Sequence, residues 1–234
     1  QIAAAPPRGS PFRSLYVAPQ SFARQMAWLR RLGYTGLSMT GLAPYLRGER
    51  EGRVVGITFD DGYQNNLTHA LPVLQQHGFS STCYAVSSLL GKTNIWDEGI
   101  GIAQTPLKNA TEIAQWVAGG QEIGSHTRRH VNLPAVSDSE AHAEMLQGKT
   151  ELEQVTGGPV RHFCYPYGHY EPRHVAMAAE LGFATATTPQ RSRCHVKAGL
   201  LQLARVPCRR PTGMPVFGVG SVAAADARRA PRGR

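Results

Sequence analysis

The chain lacks any C-x-x-C pair, any internal repeat and any apolar run near the ~18 residues of a membrane-spanning helix. These gaps exclude a paired-cysteine zinc module, a repeat solenoid and a helical membrane protein. The four cysteines, Cys83, Cys164, Cys194 and Cys208, are scattered. Cys83 and Cys164 stand in apolar, strand-like runs and read as core residues. Whether Cys194 and Cys208 pair is left open by their spacing. No N-terminal stretch has the charged, apolar and small-residue order of a signal peptide. The expectation is a protein kept in the cell, or one whose processed end lies outside this sequence. Cytoplasm and cell envelope therefore both stay open.

Acidic residues are also scarce, 16 against 25 lysines and arginines, for a net charge of +9. The excess is uneven, since residues 209–234 hold six arginines and one aspartate. That composition reads as a basic, unstructured tail after a catalytic domain over 1–208. No nucleic-acid partner is expected from it. What is present in quantity is hydrophobic residue, 41% of a 234-residue chain, enough for one domain with a sizeable core.

The organisation is alternation of helix and strand patterns. Residues 21–32 place Phe22, Met26 and Leu29 on one helical face, with Ser21 as N-cap and Gly33 as stop. A short apolar piece spans 34–39. Residues 53–59 (RVVGITF) read as a buried strand, 65–77 as a helix that Pro72 kinks or delays, and 80–86 as another strand. Thr111 caps a helix over 112–118, and 121–124 is a short strand. Ser137 and Glu140 form a capping box for a long helix to about 155. "VRHFCY", "FATAT" and "LLQLARV" are later strands, with a helix over 171–181. Such alternation implies a parallel sheet, open or closed into a barrel, with chemistry at the carboxyl ends of the strands.

Three strand ends carry polar or turn-forming groups. "TFDDGY" sets Asp60 and Asp61 side by side, where two desolvated carboxylates repel each other. A metal resolves that cost: one carboxylate ligates the cation and the other stays ionised as a base. Successive strand side chains diverge, so adjacent aspartates can serve separate roles. "SHTRRH" spaces His126 and His130 so that both can reach one ion. Two histidines and a carboxylate are a common catalytic zinc set with a position left for water. "YPYG" at 165–168 is a sharp turn whose backbone N–H suits a developing oxyanion. Taken singly, the histidine pair occurs by chance, "DDG" makes an ordinary turn, and "YPYG" a plain Pro-Gly turn.

Together and in this order, "TFDDGY", "SHTRRH" and "FCYPYG" resemble the three motifs of the polysaccharide deacetylase family, over roughly residues 54–206. The resemblance implies an α/β fold, a distorted (β/α) barrel of parallel strands, with a divalent metal, usually zinc. Carried over, Asp60 is the catalytic base, and Asp61, His126 and His130 are the metal ligands. The Tyr167 N–H is the oxyanion donor. The implied reaction removes acetyl from an N-acetylated sugar or polysaccharide, releasing acetate. Tyr63, Asn65, Trp96 and Pro166 are candidate substrate contacts; Trp96 could stack on a sugar face or anchor its own loop.

The chain departs from the family pattern in four places. Cys164 stands where many relatives have an arginine that holds the base, and Arg205 is the expected substitute, ahead of Arg161. The late general-acid histidine has no clear match, His195 being a weak one, which leaves protonation of the leaving group to Asp60. The first family strand is expected to be absent ahead of "QIAAAPP", exposing an edge. After about 208 the match ends. The alternatives are an esterase or cyclic-amide hydrolase on the same fold, and a glycan-binding domain without turnover.

Overall fold

The computed structural model describes residues 1–191 and 199–208. The tail over 209–234, Cys194 and His195 lie outside the described residues.

Among the described residues, eight short strands, all parallel where paired, wrap into a curled sheet with helices around it. The order is helix α1 (Pro19–Arg31), β1 (Thr35–Leu37), α2 (Met39–Leu46), β2 (Val54–Gly56) and β3 (Thr58–Phe59). Then follow α3 (Leu71–His77), β4 (Thr82–Ala85), α4 (Ala110–Ala118), β5 (Glu122–Ser125) and α5 (Asp138–Thr156). The series ends with β6 (His162–Cys164), α6 (Pro172–Glu180), β7 (Thr185–Arg191) and β8 (Leu203–Arg205). β2 and β3 are one chain segment interrupted at Ile57. Its first half pairs with β1 and its second with β4, and pairing continues in sequence order to β8. This is the distorted barrel that the alternation and the motifs imply.

Strand side chains alternate between two cores, as the two-residue repeat requires. Cys83, Ala85 and Phe163 face outward into the large cluster beneath α1, α3, α4 and α5, with Leu29, Leu74, Trp116 and Met145. Tyr84, Cys164 and Leu203 face inward and meet Met39, Leu42 and Leu46 of α2. Cys83 and Cys164 are thus the core residues their apolar runs suggest. Residues 1–3 lie along the wall as well. Ile2 is buried and bridges Val17, while Asn65 accepts from the Ile2 N–H at 3.2 Å and donates to the Gln1 side chain at 3.1 Å.

Several element starts differ from the sequence expectation. α1 begins at Pro19, with Ala18 rather than Ser21 as N-cap, because proline's fixed φ suits the first helical position. α4 is capped by Asn109, not Thr111, in a reciprocal box with Glu112. α2 was not expected; its eight residues contain Gly41 and Pro44, which mask a helical pattern. The 65–77 segment opens with a wide turn over Asn66–Ala70, so the regular helix does start late, at Leu71. Ser137 caps α5 as read, accepting from the Glu140 N–H, but the Glu140 carboxylate accepts from Arg129 and the reciprocal half of the box is not formed.

Below the strands, a polar cluster ties α2 to the barrel. Glu122 accepts from the Thr40 hydroxyl and backbone N–H, and from Thr82 at 2.5 Å; His162 lies 3.4 Å away. Burial alone would raise the Glu122 carboxyl, but His162 and the two hydroxyls outweigh it and hold it at about 2, against an ordinary 4.5. A depressed folded-state value adds stability above the unfolded value, and that stability is lost as pH falls through the folded one. The expected contribution is about 3 kcal/mol at most, fading from about pH 4.5 towards pH 2. Melting temperature measured against pH should therefore have a shallower acid limb in Glu122→Gln than in the parent; superimposable limbs would refute the assignment.

Candidate active site

The site lies at the carboxyl ends of the strands, where β3, β5 and β6 run into the three motif loops. Five non-glycine residues have positive φ among the described residues, and four of them are here: Asp61 (70°), Thr127 (63°), His130 (62°) and Tyr167 (58°). Left-handed backbone costs a side-chain-bearing residue about 1–2 kcal/mol. Strain of this kind persists only where the surroundings over-determine it.

In the first loop, the left-handed turn at Asp61 and Gly62 sends the two carboxylates different ways. Asp61 Oδ1 lies 3.4 Å from Nε2 of both His126 and His130. Asp60 turns to Arg205 on β8, whose Nη1 donates to Oδ1 at 2.6 Å and whose Nη2 donates to Oδ2 at 2.8 Å. Arg205 also donates to Thr58 Oγ1 at 3.0 Å, to Cys164 Sγ at 3.2 Å and to the Thr188 carbonyl at 3.3 Å. Arg161 stands exposed at the opposite end of β6. Asp60 keeps 37% of its side-chain surface, so one face of the carboxylate stays open. Burial would raise its pKa, but the Arg205 charge and hydrogen bonds outweigh that and hold it below the ordinary carboxylate value.

The ligand atoms of Asp61, His126 and His130 lie within 4.8 Å of one another. His126 donates from Nδ1 to the Cys164 carbonyl at 2.7 Å, which fixes the ring with Nε2 towards Asp61. The imidazoles are buried and the carboxylate half-buried. One carboxylate oxygen and two nitrogens, already converged, with the His126 ring held from behind, fit a divalent metal with a position left open.

The second loop is held by groups that the motif alone does not reveal. Thr127 Oγ1 accepts the His130 N–H at 3.0 Å. Buried Glu144 of α5 accepts the N–H groups of Arg128 at 3.1 Å and Arg129 at 2.8 Å. α5 comes this close because of Gly148, where a Cβ would sit 2.8 Å from the Thr127 carbonyl carbon. The signal was present in the sequence as a glutamate and a glycine on the apolar face of the helix, shared with Ala141, Met145 and Leu152.

Trp96 stacks on His130 with centroids 4.3 Å apart, and the half-exposed Tyr167 ring meets His130 edge-on at 4.6 Å. These two rings flank the His130 imidazole. Tyr63 is buried with Val86, Leu89 and Leu107 next to Trp96, and Pro166 is buried under the Tyr167 turn. Asn65 is engaged by Gln1 and Ile2.

The class defined here is a parallel α/β barrel with a possible metal site at its strand ends, and comparison with known proteins narrows it. The polysaccharide deacetylase family model matches residues 47–186, and the chain belongs to that family. It is 27% identical over 195 residues to YxkH of Bacillus subtilis (strain 168), whose name assigns it to the polysaccharide deacetylases; the match covers 82% of this chain and 66% of YxkH. It is 26% identical over 134 residues to a peptidoglycan-N-acetylglucosamine deacetylase of Bacillus cereus, covering 57% of this chain and 55% of that protein. The chain thus spans about half to two-thirds of these relatives. The Streptococcus pyogenes deacetylase PplD, solved with acetate, has the same fold at TM-score 0.80 and 21% identity, with 94% of this chain and 93% of that one covered.

Gly148→Ala should push α5 off the Thr127–Arg128 backbone and loosen the His126–His130 spacing. The expected result is a loss of about 1–3 kcal/mol in stability together with weaker uptake of a divalent metal. Melting curves and metal analysis of the purified protein check it; parent-like values in both would show that the close approach is dispensable.

Proposed function

We propose that this chain is a metal-dependent N-deacetylase acting on an N-acetylated glycan. The observation that carries the reading is the bidentate Arg205–Asp60 pair set beside the converged Asp61, His126 and His130. Zinc suits this donor set, and when bound it would polarise the acyl oxygen and make water a nucleophile near neutral pH.

Asp60 acts as general base. Arg205 keeps its carboxylate ionised and aimed, and spare lone pairs on the open face accept the proton of the attacking water. The Tyr167 N–H, turned by its left-handed backbone, donates to the oxyanion that forms on the acetyl group. The proton held on Asp60 then passes to the sugar nitrogen as the C–N bond breaks, giving acetate and a free amine. Trp96 and Tyr167 flank the acetamide, with Tyr63 and Pro166 behind them. The N-acetylglucosamine named for the Bacillus cereus relative supports the substrate class.

The test is acetate release from N-acetylglucosamine oligomers, compared with O-acetylated analogues, with zinc and with chelator. Zinc-dependent release from the amide is expected; release from the ester alone would establish an esterase instead. Asp60→Asn should keep its zinc and lose about 10²–10⁴-fold in rate; retained turnover would refute its role as base. Arg205→Met removes the charge that lowers the Asp60 pKa, so that pKa rises. The acid limb of the pH–rate profile should then move to higher pH, activity being lost earlier as pH falls. An unmoved limb would sink the Arg205 assignment.

A further inference from the structure

Lys108 is fully buried, yet the mechanism above does not use it. Burying an ammonium costs several kcal/mol unless it is well partnered. Its partners are a carbonyl, a thiol and an aromatic face. Nζ donates to the Tyr63 carbonyl at 2.8 Å and to Cys83 Sγ at 3.5 Å, and lies 4.7 Å from the Trp116 ring centre. Burial draws the ammonium below the ordinary lysine value.

The backbone of the same residue is engaged in the same place. Residues 106–108 run antiparallel beside 62–64: the Gln64 N–H donates to the Pro106 carbonyl at 3.0 Å, and the Lys108 N–H donates to the Gly62 carbonyl at 2.9 Å. One residue thus holds two successive carbonyls, Gly62 with its N–H and Tyr63 with its ammonium. These carbonyls follow directly on Asp61, in the turn where Asp61 and Gly62 take φ of 70° and 80°. A carbonyl that accepts from an ammonium makes a charge-assisted hydrogen bond, stronger than a neutral one.

We propose that Lys108 is a positioning residue for the metal site. By clamping both carbonyls it fixes the left-handed turn that points Asp61 at His126 and His130 and leaves Asp60 to Arg205. The inference rests on the metal-dependent reading above. A purely structural lysine would affect melting alone, whereas a positioning lysine sets metal affinity.

The test uses the full chain with Lys108→Met, which fills similar volume against Trp116 without a donor. Zinc affinity is read by competition with a chromophoric chelator, alongside melting of the metal-free protein and kcat and KM on the oligomers. Zinc affinity should fall by about 10–100-fold, with kcat reduced and KM little changed. Unchanged zinc affinity, with or without a lower melting temperature, would overturn the proposal. Should Lys108→Met fail to fold, Lys108→Leu, which also has no donor, is read in the same way. Weakened zinc binding in the variant, with no acetate release even from the parent, leaves the clamp standing and removes the substrate reading. A parent protein that takes up no zinc removes both.

Discussion

The pair between Arg205 and Asp60 joins the last strand to the far side of the barrel. β3 and β8 are the two ends of the six-stranded ladder and share no backbone pairing. The guanidinium crosses that seam and is satisfied on both sides, by Thr58 and Asp60 of the first wall and by Cys164 and Thr188 of the other. An arginine suits the task better than a lysine, since its planar fork meets both carboxylate oxygens while further N–H groups reach other acceptors. Removing one partner of such a pair leaves the other desolvated and unpaired, which is far costlier than the pair itself is stabilising. One side chain therefore both bridges the two ends of the ladder and holds the Asp60 carboxyl below its ordinary value.

Once that seam is closed, the remaining problem is strain. Both candidate-site loops leave their strands through residues with positive φ, and two of the three proposed metal ligands, Asp61 and His130, are themselves in that region. Each loop is countered by a buried charge of the sign its backbone needs. Glu144 gathers the N–H groups of Arg128 and Arg129, and the Lys108 ammonium holds the Tyr63 carbonyl beside the backbone bond from Lys108 to Gly62. Neutral groups in these places would make weaker bonds to the same backbone. Two buried ions, each costly alone, are here tied to conformations that would otherwise relax.

Much of this was legible beforehand because the metal-site chemistry is concentrated in short motifs. Asp60, Asp61, His126 and His130 could be placed together from their strand-end positions and the resemblance, and Arg205 could be preferred over Arg161. The strands were recognisable from their apolar runs, and α5 from Ser137 and Glu140. What escaped was non-local. α2 hid behind Gly41 and Pro44, and its docking depends on Glu122, which is distant in sequence. Lys108 belongs to none of the sequence motifs, and lysines are almost never fully buried. Glu144 is not among the residues that the sequence motifs single out. Its burial follows from Gly148, whose missing Cβ brings α5 against a loop some twenty residues earlier.

The exchange of an arginine for Cys164 gains meaning from this geometry. Cys164 faces the barrel interior, and its sulfur accepts from the same guanidinium that holds Asp60. A second arginine there would set two guanidiniums against one carboxylate, and like charges in a desolvated site repel. A small, weakly accepting thiol instead leaves room for Arg205 to enter from β8. The consequence is topological. With an arginine on β6, base and holder would be joined before the last strand arrived. With Arg205, the proposed base Asp60 is oriented only when β8 has docked on β7. Completion of the barrel and completion of the active site then become the same event.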